Sequence, residues 1–329
     1  MSALLEVKGL QTGFPSAQGW LPVVDDVSFE LARGEVLALV GESGSGKSMT
    51  AFSMLRLVPK PGRVIAGEVR LEGRDLLSLS VSEMRRVRGR RIAMIFQEPM
   101  TCLNPVVRVG EQVVEAIGLH ERVSRAEALD RTRALFAEVG IPDPEARLRA
   151  YPHQLSGGLK QRVMIAMALS TKPEILIADE PTTALDVTVQ AQILALLRQL
   201  QRDRDMSILL ITHDLGIVNE LADRVAVLYA GRLVEVAPRA ALYADPLHPY
   251  TRGLLRSMPA LSRVGEPLAE IPGVVPSAGE WTTGCRFANR CPVRFERCDE
   301  VSPGESHPAP GRRLWCHEAE RSLADGEGR

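Results

Sequence analysis

Short continuous apolar runs alternate along this chain with longer stretches whose apolar residues recur every three or four positions. The runs at 36–40, 91–96 and 175–178, and "ILLIT" at 208–212, have the length and composition of buried strands. The segments "EQVVEAIGLH" and "EALDRTRALFAEVG", and the stretch 189–201, have the apolar spacing of helices. The pattern therefore predicts buried strands that alternate with helices.

The first apolar run opens the segment "VLALVGESGSGKSMTAF", which contains Gly41-x-x-x-x-Gly46-Lys47-Ser48 before a helix-compatible stretch. This is the Walker A pattern between the strand and the helix that it requires, and a Gly/Ser-rich linker with a chance lysine would lack those flanks. Glycines let backbone N–H groups approach phosphate oxygens, and the helix N-terminus adds partial positive charge. Lys47 is predicted to hold the β- and γ-phosphates, and Ser48 to coordinate Mg²⁺. The candidate nucleotide-binding residues here are Gly41, Ser43, Gly44, Gly46, Lys47, Ser48 and Met49.

A later strand supplies carboxylates. In "PEILIADEPTTALD" the apolar run ends at Asp179 and Glu180, and sites in parallel α/β sheets form at the carboxyl ends of strands. Asp179 suits a Mg²⁺ shell, and Glu180 suits a general base that polarises an attacking water. Alone, this pair would indicate solvated acids before a turn. Together with the Walker A pattern it predicts nucleotide hydrolysis.

Composition excludes some functions. The chain has 329 residues, of which 45% are hydrophobic and 25% charged, as in soluble globular proteins with about two domains. The net charge of −1 argues against nucleic acid as the main partner, because phosphate backbones are bound by basic surfaces. The start, "MSALLEVKGL", does not resemble a signal peptide, and no run approaches the roughly 18 apolar residues of a membrane span. We expect a cytosolic protein whose membrane role, if any, comes through partners.

A second anion-binding element is predicted at "LSGG", residues 155–158, before a helix from Gln161 onward. Ser156, Gly157 and Gly158 can form a backbone nest for phosphate. Two such elements in one chain suit two subunits packed head-to-tail around two nucleotides. The motif "LSGGLKQR", placed between Walker A and the Asp179 strand, resembles the signature of ATP-binding cassette (ABC) proteins.

The resemblance extends to the remaining cassette motifs in their order. It implies that Gln97 contacts Mg²⁺ or the attacking water, that Asp186 in "TALD" belongs to a loop at a dimer interface, and that His213 senses the γ-phosphate. A lone histidine at a strand end would otherwise more often be structural. Adenine stacking is expected from an aromatic residue near the N-terminal strands, first Phe14 and second Trp20, although either ring could simply pack.

The cassette resemblance covers roughly residues 3–238 and implies an α/β P-loop NTPase fold. The expected parts are a RecA-like core with an N-terminal antiparallel β subdomain (1–96 and 156–238), a helical subdomain (97–155) and a Cys-rich C-terminal extension (239–329). Three further stretches, "FQEPMTCLNPV", "DPLHPYTRGLLRSMP" and "IPGVVPSAGEWTTGCRFANRCPVRFERC", resemble the ATPase subunits of dipeptide/oligopeptide/nickel importers (DppD/OppD type). Cys102 departs from that family's motif, where serine is expected, and we interpret it as a small neutral replacement. "HPYTRGLL" predicts a turn followed by a packing helix.

The implied function is ATP hydrolysis that drives peptide import, with nickel or another small solute as the alternative. The implied partners are two transmembrane permease subunits, a second ABC ATPase subunit and, indirectly, an extracytoplasmic solute-binding protein, at the cytoplasmic face of the membrane. A soluble ABC ATPase acting on DNA or ribosomes usually has long coiled coils or two cassettes, which this sequence lacks. The presence of Glu180 and His213 argues against a purely regulatory nucleotide-binding module.

Four of the five cysteines cluster near the end of the chain, as Cys285, Cys291, Cys298 and Cys316. Four thiolates suit Zn²⁺ or an iron–sulfur cluster, and the lack of a tight Cys-x2–4-Cys pair mildly favours the bulkier cluster. In the importer family that the chain resembles, some members with a similar tail carry a [4Fe–4S] cluster, which implies one here. Zn²⁺ is the alternative, with His307 and His317 as substitute ligands. Incidental reduced thiols are the remaining interpretation, and a disulfide is disfavoured in a reducing compartment.

Overall fold

The computed structural model describes residues 3–17, 19–97, 102–183, 185–258 and 270–318. The strands are β1 (Ala3–Ser16), β2 (Gly19–Ala32), β3 (Val36–Val40), β4 (Arg63–Leu71), β5 (Arg74–Asp75), β6 (Ile92–Ile95), β7 (Ile175–Asp179), β8 (Ser207–Thr212), β9 (Arg224–Tyr229), β10 (Arg232–Pro238) and β11 (Arg313–Leu314). The helices are α1 (Lys47–Met54), α2 (Val81–Val87), α3 (Val109–Gly118), α4 (Arg125–Glu138), α5 (Pro144–Arg147), α6 (Gly157–Leu169), α7 (Val187–Arg204), α8 (Leu215–Leu221), α9 (Arg239–Ala244), α10 (Pro249–Arg256) and α11 (Arg297–Glu300).

The chain divides into two compact units. Unit 1 comprises Met1–Ala32, Val36–Ser78 and Ile211–Arg329, and unit 2 comprises Arg33–Glu35 and Leu79–Leu210. The chain passes from unit 2 to unit 1 within β8. No helix of the described ranges is long and apolar enough to cross a membrane.

Unit 1 contains an antiparallel sheet in the order β2-β1-β4-β5. In a second sheet its strands lie in the order β11-β10-β9-β3, with β3 parallel to β9 and β10 antiparallel to both of its neighbours. Every residue of β3 is buried, as its continuous apolar sequence predicts. The phosphate loop, residues 41–48, follows this buried strand directly.

Unit 2 contains β8, β7 and β6 in that order, with β6 parallel to β7. The segment expected to be helical at 97–155 lies in this unit and holds α3, α4 and α5. The helix expected from Gln161 onward begins earlier, at Gly157, because the Ser156 side chain caps its N-terminus. The stretch 189–201 lies within α7, whose buried face includes Ile193, Leu197 and Leu200.

Candidate nucleotide-binding site

The phosphate loop has the close backbone packing that its glycines predict. A Cβ atom at Gly41 would lie 2.2 Å from the carbonyl oxygen of Leu228, so no larger residue fits there. The Lys47 ammonium donates to the carbonyl oxygens of Gly41 (2.7 Å) and Glu42 (2.9 Å), and its side chain is buried. Phosphate oxygens can replace these carbonyls as acceptors. The loop therefore fits a nucleotide phosphate, with half-buried Ser48 in the first turn of α1.

In unit 2, the two predicted carboxylates have different surroundings. Asp179 ends β7, and it is 1% exposed. The backbone of Glu180 has a φ of 47°, in the left-handed region that non-glycine residues rarely adopt. The Glu180 Oε2 atom accepts hydrogen bonds from Gln97 Nε2 (2.8 Å) and Thr183 Oγ1 (2.9 Å). The structure thus brings Gln97 to Glu180 and fixes the orientation of this carboxylate.

The predicted signature forms the exposed start of α6. Ser156 Oγ accepts a hydrogen bond from the Leu159 N–H at 3.4 Å, and both Ser156 and Gly157 are exposed. Gly158 lies against α7, because a Cβ there would be 2.6 Å from Cγ1 of Val189. Asp186 caps α7 by accepting the Val189 N–H at 2.9 Å. The exposed helix start fits an anion supplied from outside unit 2.

His213 directly follows β8 and is exposed. The next residue, Asp214, caps α8 by accepting the Gly216 N–H at 2.7 Å, and its own N–H bonds the Thr212 hydroxyl at 3.0 Å. This tight turn places the imidazole at the carboxyl end of the strand, as the sequence predicts.

The two aromatic candidates for adenine stacking have other contacts in unit 1. The Phe14 ring packs on Gly62, where an added Cβ would lie 2.6 Å from it. Trp20 is 39% exposed and carries the Arg63 guanidinium 4.2 Å from its ring centroid. Adenine stacking by either ring stays a prediction.

The C-terminal segment, residues 270–318, is anchored on the rest of unit 1 by strand pairing and a buried ion pair. β11 pairs with β10, where Glu235 lies opposite Leu314. Glu235 is buried, and it accepts hydrogen bonds from the N–H groups of Leu247 (3.1 Å) and His248 (2.9 Å) and from Arg312 (2.8 Å). These bonds satisfy a carboxylate that would be costly to bury alone.

Sequence reasoning missed a connection between this part of the chain and the phosphate loop. "HPYTRGLL" forms the expected turn and helix, with His248 as the cap of α10. In addition, the Tyr250 hydroxyl accepts the Glu42 N–H at 2.9 Å, and Arg290 donates two hydrogen bonds to the Glu42 carboxylate. The sequence signal for this connection was Tyr250, in a segment interpreted as a packing helix, and Arg290, in the cysteine-rich tail.

The four clustered cysteines, none of which forms a disulfide, line one small cavity together with His317. Burial raises the pKa of the Cys285 thiol to about 12, and the Cys316, Cys298 and Cys291 thiols add to that shift. His307 instead pairs with Glu305 at 3.4 Å. Among the described residues, no group of three or more His, Cys, Asp or Glu side chains is placed to hold a metal ion. The geometry therefore gathers the thiols but does not support the predicted metal site.

Comparison with known proteins agrees with the site geometry. Residues 24–183 match the ABC transporter family, and residues 234–298 match the oligopeptide/dipeptide transporter C-terminal region. The chain is 52% identical over 315 residues to the probable peptide ABC transporter ATP-binding protein y4tR of Sinorhizobium fredii, covering 95% of this chain and 94% of that protein. It is 46% identical over 334 residues to the dipeptide transport ATP-binding protein DppD of Bacillus subtilis, covering 100% of both.

A solved structure shares the fold. The ADP- and phosphate-bound dimer of the ATP-binding cassette MJ0796, described as a post-hydrolysis state, matches with a TM-score of 0.65 and 26% identity, covering 71% of this chain and 98% of that one. The matched ABC region contains the phosphate loop, the signature and both carboxylates. The chain is therefore an ABC-type ATPase, and it belongs to the ABC transporter ATP-binding proteins that carry the oligopeptide/dipeptide transporter C-terminal region.

Proposed function

We propose that this ATPase energises the import of peptides across the cytoplasmic membrane. The observation that carries the proposal is the match of residues 234–298 to the oligopeptide/dipeptide transporter C-terminal region, which follows the ATP-binding cassette. Relatives that align over nearly their whole length are named as dipeptide and oligopeptide transport proteins. Peptides therefore rank above nickel as the transported solute.

The proposed roles in the nucleotide site follow the chemistry of each side chain. Lys47 and the backbone of the phosphate loop hold the ATP phosphates, and Ser48 and Asp179, with Gln97, provide oxygen ligands suited to Mg²⁺. A bound Mg²⁺ would neutralise charge that develops during phosphoryl transfer. Glu180 accepts a proton from the attacking water, a role supported by its fixed carboxylate, and His213 contacts the γ-phosphate. The other proposed nucleotide contacts are Phe14 at adenine and Gly41, Ser43, Gly44, Gly46 and Met49 in the loop.

A second ABC ATPase subunit is the proposed partner of the signature. Ser156, Gly157 and Gly158 would bind the nucleotide of that subunit, and Asp186 would lie at the interface, so that ATP joins two subunits until it is hydrolysed. The exposed start of α6 supports this role.

The proposed domains are a RecA-like core with a β subdomain at 1–96 and 156–238, and a helical subdomain at 97–155. The remaining partners follow from the importer assignment, and we propose that the helical subdomain contacts two transmembrane permease subunits. The protein would then lie at the cytoplasmic face of the membrane, with a solute-binding protein on the opposite side.

We further propose that Cys285, Cys291, Cys298 and Cys316 ligate an iron–sulfur cluster in the 239–329 extension. The proposal rests on the four cysteine side chains gathered on one cavity, none of which forms a disulfide. Thiolate ligation would remove the protons that burial otherwise retains on Cys285 and Cys291. A single Zn²⁺ is the less favoured occupant, because structural zinc sites usually use closely spaced Cys-x2–4-Cys pairs, which this segment lacks.

The transport proposal is tested by purifying the chain with its permease subunits and measuring ATP hydrolysis in vesicles. Di- and oligopeptides, delivered with the solute-binding protein, should stimulate hydrolysis and accumulate. Stimulation by Ni²⁺ but not by peptides would overturn the peptide assignment and leave the ATPase assignment intact.

The thiol proposal is tested separately by anaerobic purification followed by iron, sulfide and zinc analysis. Iron and inorganic sulfide should be present, and both should be lost in Cys291→Ser. The substitution Thr282→Ala, at an exposed residue of the same segment, is the matched control. Zinc without sulfide would replace the cluster with a zinc site, and metal-free active protein would refute both.

A further inference from the structure

All three polar groups of Glu42, the residue after Gly41 in the phosphate loop, are engaged. Its N–H donates to the Tyr250 hydroxyl at 2.9 Å, and its carbonyl oxygen accepts from Lys47 Nζ at 2.9 Å. Its carboxylate accepts from Arg290 at two atoms, Nη1 to Oε2 at 2.7 Å and Nη2 to Oε1 at 3.0 Å. Glu42 therefore connects the phosphate-binding lysine to two residues far along the chain.

Arg290 is itself held in place. Its side chain is 5% exposed, and its guanidinium also donates from Nε to the carbonyl oxygen of Pro272 (2.8 Å) and from Nη2 to that of Ile271 (3.0 Å). Its backbone belongs to the short helical turn Ala288–Arg290, which ends directly before Cys291. A planar guanidinium with this many fixed acceptors has little freedom to turn away from Glu42.

Tyr250 is similarly fixed on the other side of Glu42. It is fully buried, and its ring lies 4.7 Å from the Tyr229 ring and 5.4 Å from the Phe287 ring, measured between centroids. Its N–H donates to His248 Nδ1 at 3.0 Å. The hydroxyl thus reaches the loop from a rigid aromatic cluster.

We propose that Arg290 and Tyr250 are positioning residues for ATP binding. Fixing Glu42 before the nucleotide arrives reduces the ordering that the phosphate loop must undergo on binding. Arg290 also neutralises a carboxylate that would otherwise repel the phosphates from within their own binding loop. Both effects act on nucleotide affinity, and neither residue touches the reacting atoms.

The test measures binding of Mg-ADP to the full-length protein, together with KM and kcat for ATP hydrolysis. Arg290→Met should raise the Kd for ADP and the KM for ATP about ten-fold, equivalent to about 1.4 kcal/mol, with kcat within about two-fold of wild type. Arg294→Met is the matched control, because Arg294 makes a similar two-point pair with Asp299 (3.0 and 2.9 Å) but is 45% exposed. The control should keep wild-type affinity.

Two further variants keep the proposal falsifiable if Arg290→Met folds poorly. Glu42→Gln combined with Arg290→Met removes both charges and should recover much of the lost affinity. Tyr250→Phe removes only the hydroxyl and should raise the Kd about three-fold. Wild-type Kd in folded Arg290→Met and Tyr250→Phe proteins, or a loss in kcat at unchanged Kd, would overturn the proposal. Lowered thermal stability with unchanged Kd would show that the contacts are only structural.

Discussion

The buried ion pair that anchors the C-terminal segment gives a quantitative prediction. Arg312 donates to Glu235 at 2.8 Å, and the two side chains are 9% and 1% exposed. Removing one partner of a buried pair costs about 3–5 kcal/mol, because the remaining charge is left uncompensated. In Arg312→Met, Glu235 would retain two backbone N–H donors. The expected loss in the free energy of unfolding is therefore near the lower end of that range, at about 3 kcal/mol.

Urea unfolding followed by tryptophan fluorescence measures this loss, because Trp20, Trp281 and Trp315 all lie in unit 1. Arg313→Met is the matched control, since Arg313 pairs with Glu305 where the side chains are 23% and 34% exposed, and it should cost less than about 1 kcal/mol. Replacing both Glu235 and Arg312 with Met should recover part of the loss. Equal costs for the two single variants would refute the reasoning.

Two further predictions concern packing and pH. Burial, with a contribution from the Arg252 charge, lowers the pKa of His248 from 6.5 to about 3, so the unfolded chain binds a proton between these values and the folded chain does not. Calorimetry should therefore show that the protein loses stability as the pH falls below 6.5, and His248 should account for about 2 kcal/mol of the loss between pH 7 and 5. The His248→Asn variant should lack this contribution. Parallel stability profiles for the two proteins would contradict the assignment of the loss to His248. Gly158→Ala places a Cβ 2.6 Å from Val189 and should lower the free energy of thermal unfolding by about 1–3 kcal/mol. The double variant Gly158→Ala, Val189→Ala should regain this stability. A loss that persists in the double variant would exclude the contact with Val189 as the cause.

The sequence was sufficient to predict the structural features that depend on interactions between neighbouring residues. The apolar run 36–40 became a strand buried at every position, and the glycine and lysine spacing of the phosphate loop gave its geometry directly. The start of α6 was predicted late because the capping bond of Ser156 allows the helix to begin four residues before Gln161.

Contacts between distant positions were not predictable from spacing. Gln97 and Glu180 are 83 residues apart, and Glu42 and Arg290 are 248 apart. No periodicity encodes such pairs, because they depend on the path of the whole chain. The cysteines show the same limit, since their clustering in sequence predicted proximity but not the side-chain distances that a metal requires.

This chain is an ABC-type ATPase, and its proposed general base is Glu180. The decisive measurement is the rate of phosphate release by the full-length protein assembled with its permease subunits. Wild type is compared with Glu180→Gln and with the control Glu220→Gln, at an exposed residue. Glu180→Gln should reduce turnover about 10²–10⁴-fold, the usual contribution of a general base, while ATP binding persists and Glu220→Gln stays at the wild-type rate. Turnover in Glu180→Gln within a few-fold of wild type would contradict the assignment.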